Sequence, residues 1–158
     1  MKRFKQKSTY VSLAVSAFLT AGSAIAEIEE ITVTANKREQ SLQDVPLTVS
    51  VTSAETIQQS SIVDLIDLQT AVPALRVNQL QSSAQTNFVI RGFGNGANNP
   101  GIEPSVAVFV DGVYLSRSQA RISDLPNIQQ IEVLKGPQST LYGKNASAGV
   151  ISVTTKVP

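Results

Sequence analysis

The chain has 158 residues, with 13 Lys and Arg against 12 Asp and Glu, and contains neither histidine nor cysteine. That composition excludes disulfides, thiol nucleophiles and imidazole bases, so an exported form must be held by an ordinary apolar core. The length allows one domain and excludes a large membrane barrel, which at about 10 residues per strand and 22 strands takes roughly 220 residues before any loop.

Residues 1–26 read as a secretory signal. Lys2, Arg3, Lys5 and Lys7 form a basic start, Tyr10 to Thr20 is a short apolar run, and Ala24-Ile25-Ala26 has the small-x-small pattern of a cleavage site. The apolar run is too short for a spanning helix. Cleavage takes 26 of 158 residues and leaves 132, with 9 basic side chains against 12 acidic ones, a net charge of −3. The basic pI therefore belongs to the signal, and the mature chain gives no reason to expect nucleic acid as a partner.

Residues 27–43 form a leader. Within it Ile31, Thr32, Val33, Thr34 and Ala35 alternate in a β-prone pattern between two polar stretches. On the sequence alone this is an orphan edge strand, suited to pairing with another protein's sheet edge.

Residues 44–158 form the domain proper. Leu47 to Val51 is a first core strand. Thr52 as N-cap with Glu55 reaching back predicts a short helix to about Gln59. Ser61 to Asp64 repeats the device and predicts a second helix, with Ile62, Leu65, Ile66 and Gln69 on one face, ended by Pro73. Ala74 to Asn78 and Phe88 to Arg91 are short extended segments, and Gly92 to Gly101 is a glycine- and asparagine-rich loop. Ser105 to Leu115 predicts a hairpin whose Asp111-Gly112 pair suits a type I′ turn. Ser123 to Asn127 predicts a helical turn, and Ile131 to Lys135 and Val150 to Thr155 are closing strands. Strands interleaved with short helices predict an α+β fold with a small mixed sheet.

The sequence holds no catalytic constellation. Gly92, Gly94 and Gly96 miss the dinucleotide fingerprint by one residue, and Gly136 lies too far from Gly143-Lys144 for a phosphate loop. No carboxylate cluster has metal-ligand spacing, and the Asp64 and Asp67 carboxylates are expected as solvated surface. No enzyme, cofactor or metal site is expected.

The ordered segments resemble a known family. ITVTA (31–35), DVPLTVSV (44–51), DLIDLQTAVPAL (64–75), FVIRGFG (88–94), VAVFVDGVYL (106–115) and IEVLKGPQSTLYGKNASAGVISVTTK (131–156) follow the order of motifs in the plug domain of TonB-dependent outer-membrane receptors. The resemblance implies an α+β plug with long apical loops, without a β-barrel in this chain. It implies that Ile31 to Ala35 form a TonB box, pairing as a strand with TonB, which the ExbB/ExbD complex energises. It implies that Arg91 and Lys135 lock the plug to the carboxylates of an outer-membrane β-barrel that normally belongs to the same chain. Family members more often have Arg at the second position, and lysine lacks the planar bidentate contact. It places Asn95, Asn98, Asn99, Arg117 and Arg121 in loops that face an iron-siderophore or another small nutrient. Gly92, Gly136, Pro137, Gly143 and Gly149 are then turn positions, as are Asp111 and Gly112. The short leader leaves no room for an N-terminal signalling domain. Two readings follow: the gate of an active transporter in the outer membrane, here as a partial chain, or a free-standing soluble periplasmic plug that binds TonB without transporting anything.

Overall fold

The computed structural model describes residues 31–34, 37–38, 40–81, 86–95, 101–116 and 127–156. The signal segment 1–26, Ala35, the loop residues Asn98, Asn99, Arg117 and Arg121, and Ser123 to Pro126 of the expected helical turn lie outside these; Asn127 is a turn residue with φ of 56°.

The centre is a five-stranded mixed sheet. It contains β3 (Thr48–Ser53), β6 (Val106–Val110), β7 (Val113–Tyr114), β8 (Ile128–Lys135) and β9 (Gly149–Thr155), in the order β3-β8-β9-β6-β7. Neighbours are antiparallel except β6 and β9, which run parallel. Two separate hairpins complete the strands: β1 (Thr32–Val33) with β2 (Gln40–Ser41), and β4 (Leu75–Gln79) with β5 (Thr86–Ile90). The described strands close no barrel. No helix among the described residues is long and apolar enough to cross a membrane, which says nothing of β-barrels.

Strands β8 and β9 bury side chains on both of their faces. Successive side chains on a strand face opposite ways, and this sheet is covered on both faces. Ile131, Val133, Ile151 and Val153 point into the larger core with Leu65, Leu68, Phe88 and Ile90. Leu134, Val150, Ala107 and Phe109 point into a second, smaller core that includes Val33, Val45 and Ala146. Each such fully buried aliphatic side chain contributes about 1.5–3 kcal/mol relative to exposure. The predicted hairpin forms as expected, since Asp111 and Gly112 have φ of 48° and 79°. Asp111 also anchors the end of β9, its carboxylate accepting from Thr155 N–H and Thr155 Oγ1, both at 2.8 Å.

Three local expectations are corrected. The helix α1 (Ala54–Gln59) is capped by Ser53, whose hydroxyl accepts from Thr56 N–H at 3.4 Å, rather than by Thr52. Thr52 stays in β3, buried and paired with Ile131, so strand pairing outweighs its capping tendency. The second helix starting at Ser61 does not form. Ser61 takes φ of 52°, and only a 3-10 turn at Asp67–Thr70 appears. Asp64 and Asp67 are not merely solvated. Asp64 Oδ1 accepts from the N–H groups of Ile66 and Asp67, and Asp67 Oδ2 accepts from Val63 N–H. These local bonds offer the backbone an alternative to a regular helix. The buried apolar positions become Ile62, Leu65, Leu68 and Val72, while Gln69 is exposed.

Candidate functional site

The N-terminal strand is docked on the domain. In β1, Ile31 is 48 % exposed while Val33 is 0 % exposed, so the alternation seen in the sequence places one side chain in the second core. β2 pairs with it through Thr32↔Ser41 and Val33↔Gln40, and Leu42 N–H donates to the Ile31 carbonyl at 2.9 Å. The expected orphan strand is thus corrected to a short hairpin. The signal for it was weak, because Gln40 and Ser41 carry no β-prone pattern.

The other edge of β1 faces side chains. Antiparallel pairing directs the backbone groups of alternate residues to opposite sides, so those of Thr32 and the Thr34 N–H point away from β2, while the Thr34 carbonyl accepts from Lys37 N–H at 2.8 Å. Thr34 N–H donates to Glu132 Oε1 at 2.7 Å, and Thr34 Oγ1 donates to the same carboxylate at 3.1 and 3.3 Å. Gln130 Nε2 donates to Glu132 Oε1 at 2.7 Å and reaches the Thr32 carbonyl at 3.5 Å. The Tyr142 hydroxyl reaches the Thr34 carbonyl at 3.5 Å. Glu132 and Gln130 are two apart on β8 and so share this face of the sheet. Tyr142 comes from the short helix α2 (Ser139–Tyr142), with its ring against Phe109.

Glu132 is fully buried. Burial raises its carboxyl above the ordinary carboxylate range, against the opposing pull of the Thr34 and Gln130 hydrogen bonds. Burial likewise raises the Tyr142 phenol, with the nearby Glu132 charge as a second cause. Beside the docked strand an open cleft of about 510 Å³ is lined by Thr34, Lys37, Arg38, Phe109, Asp111 and Tyr142, among others. The Lys37 ammonium stands over the Tyr142 ring, 5.4 Å from its centre. Glu132, Gln130 and Tyr142 had no role in the sequence reading. The one available signal was a carboxylate in the middle of an otherwise apolar strand, Ile131 to Leu134.

The remaining predicted positions divide clearly. Arg91 is exposed in a two-residue turn with Gly92, with φ of 52° and 83°, closed by two Ile90–Phe93 backbone bonds of 2.9 Å. Lys135 ends β8, half-buried, opposite Thr48 and Gly149. Gly136 and Gly143 take positive φ as expected of turns, and Pro137 is exposed beside Gly136. Gly149 is different: it lies inside β9, and a Cβ there would stand 2.5 Å from the Leu134 carbonyl oxygen and 2.6 Å from Ile90 Cδ1. Its need for glycine is close approach, not a turn. Asn95 donates from Nδ2 to the Glu103 carbonyl at 2.7 Å, tying together the two ends of the glycine-rich loop, and Glu103 pairs with Lys144 at 2.7 Å.

The sequence profile of the TonB-dependent receptor plug domain matches residues 41–150. The chain belongs to that family. Among curated relatives, the vitamin B12 transporter BtuB of Vibrio vulnificus is 34% identical over 132 residues, covering 80% of this chain and 20% of that protein. The iron-regulated outer membrane virulence protein of Vibrio cholerae is 32% identical, covering 94% and 23%. Among solved structures, the ferric yersiniabactin uptake receptor FyuA of Yersinia pestis superposes with a TM-score of 0.64 at 29% identity, covering 71% of this chain and 17% of that one. The chain thus spans about a fifth of the length of the curated relatives it matches. The mixed sheet with few short helices is the fold of a plug, and BtuB and FyuA are named as a transporter and a receptor rather than as enzymes.

Proposed function

We propose that this plug is the gate of an outer-membrane receptor for active uptake of an iron-siderophore complex or another scarce nutrient, and that Ile31 to Ala35 are the handle by which TonB moves it. The observation that carries the reading is the β1 strand itself: a short β-prone segment paired with the two-residue strand β2, with Ile31 exposed and Val33 buried. Pairing with a TonB strand would draw most of its affinity from main-chain hydrogen bonds, which makes proline intolerable within the segment. The names of the relatives support nutrient uptake, with vitamin B12 and ferric yersiniabactin as two substrates of that kind. Arg91, exposed beside Gly92, is the stronger lock to a barrel carboxylate, with Lys135 as its weaker companion. In this reading the apical loops around Asn95, Asn98, Asn99, Arg117 and Arg121 face the substrate; Asn95 acts there by shaping its loop through Glu103. The protein works by moving, not by catalysing.

Calorimetric titration of a Glu29–Ala35 peptide with the purified C-terminal domain of TonB tests the handle. Binding that disappears with Val33→Pro supports it. Equal binding by the two peptides, or none by either, overturns it.

A further inference from the structure

The five-stranded sheet ends differently at its two edges. On one side β7 is only two residues long, and shortness is one way to blunt an edge. On the other, β3 presents six residues in unbroken register with β8, from Thr48↔Lys135 to Ser53↔Gln130. The hydrogen-bond pattern fixes which β3 groups face outward. Gly136 N–H donates to the Ala148 carbonyl at 3.1 Å, so by alternation Leu134 and Glu132 turn their backbone groups to β9. Lys135, Val133 and Ile131 turn theirs to β3, which makes Thr48, Ser50 and Thr52 its bonded residues. Val49 and Val51 turn their N–H and carbonyl groups to the open edge, and among the described residues nothing bonds them there. Thr48 to Ser53 holds no charge, no proline and no bulge, the devices that keep other edges from pairing.

We propose that this edge pairs with a second copy of the chain, antiparallel about a twofold axis through Ser50. Three features select a copy of itself. Val49 and Val51 are two apart, so each meets the other across the axis as a hydrogen-bonded pair, and each pair exchanges both of its N–H···O bonds. The facing side chains also match. Val49 and Val51 meet on the face of the smaller core, against which both already pack, while Thr48 meets Thr52 and Ser50 meets Ser50 on the other face. Such hydroxyl pairs suit a sheet. Finally, no charge opposes another in that register. The pairing joins two five-stranded sheets into one and makes β3 an interior strand. The inference goes beyond the gate reading and does not rest on it: a barrel wrapped around the plug would keep two copies apart, so the pairing belongs to the plug chain when it is not enclosed.

The chain has no cysteine, so single cysteines report the register directly. Ser50 and its copy form a non-hydrogen-bonded pair with Cα atoms about 4.5 Å apart, within the span of a disulfide. Ser50→Cys in the full chain is expected to give a disulfide-linked dimer on mild oxidation, read by non-reducing electrophoresis. Val51→Cys is expected to stay unlinked, because Val51 and its copy are diagonal neighbours about 7–8 Å apart. Val113→Cys is exposed but lies on the opposite edge, and is expected to stay unlinked too. Sedimentation equilibrium of the cysteine-free chain reads the same interface. Val51→Pro removes an N–H that points away from β8, which an edge strand tolerates, and with it half of the backbone bonds between copies. It is expected to weaken dimerisation by roughly 5- to 150-fold, with the circular dichroism of the parent. A parent that stays monomeric at its highest soluble concentration, or linking at position 51 or 113 equal to that at 50, overturns the proposal. A Val51→Pro chain that folds and dimerises as tightly as the parent overturns it as well; if that variant unfolds, the cysteine set decides alone.

Discussion

Gly149→Ala is the sharpest test of how the sheet is packed. The added Cβ would lie 2.5 Å from the Leu134 carbonyl oxygen and 2.6 Å from Ile90 Cδ1. The Ile90 methyl can rotate aside, but the Leu134 carbonyl belongs to the backbone of β8, directly beside β9 in the sheet. Relief therefore requires opening the β8–β9 ladder near Lys135, the strand pair at the centre of both cores. Overpacking of this kind costs about 1–3 kcal/mol, and a lost ladder hydrogen bond adds about 1 kcal/mol, so a loss of roughly 2–4 kcal/mol is expected. Gly112→Ala is the control: its φ is 79° but a Cβ there meets nothing within 4 Å, so only left-handed strain of about 1–2 kcal/mol applies. Urea unfolding of the full chain, followed by circular dichroism, reads both. At a slope of about 2 kcal/mol/M, Gly149→Ala lowers the midpoint by roughly 1–2 M. A Gly149→Ala midpoint equal to or higher than that of Gly112→Ala would refute the close approach.

Two further predictions concern charged groups. Asp111→Ala removes the acceptor of Thr155 N–H and Oγ1 and puts alanine at φ of 48°, for an expected loss of about 1–3 kcal/mol in the same assay; Asp111→Asn, which tolerates that backbone and keeps one acceptor, should lose less. Glu132 gives a pH dependence with a defined sign. Burial raises its folded carboxyl above 4.5, so its contribution is complete below 4.5 and is lost as pH rises through the higher folded value. The stability of the parent relative to Glu132→Gln should therefore fall as pH increases above 4.5, measured by urea midpoints of both proteins across that range. A difference that grows with pH would contradict the assignment.

What the sequence made legible was local or repetitive. Asp111-Gly112 announced its turn because positive φ at two successive residues has few solutions. The strands at Ile131 to Lys135 and Val150 to Thr155 stood out because they are rich in β-branched residues, which suit a strand. The family motifs led to the plug fold, which the profile match and the sheet both support. Capping chemistry was less reliable: Thr52 has the right side chain, yet its pairing with Ile131 moves the cap to Ser53. The Ser61 helix failed because Asp64 and Asp67 bind nearby N–H groups instead. The contact between the N-terminal segment and Glu132 was beyond reach. Thr34 and Glu132 are 98 residues apart, and nothing in either local pattern says that they meet.

Segment 31–35, as proposed, either stays docked on the plug against Glu132 or pairs with a strand of TonB. The most direct measurement compares the affinity of the TonB C-terminal domain for the free 29–35 peptide with its affinity for the full chain. If docking masks the segment, only the undocked fraction binds, and the apparent affinity of the full chain is weaker by that fraction. A full chain weaker than the peptide is expected, with an affinity that approaches that of the peptide in Glu132→Ala. A full chain that binds as tightly as the peptide, unchanged by Glu132→Ala, would contradict it.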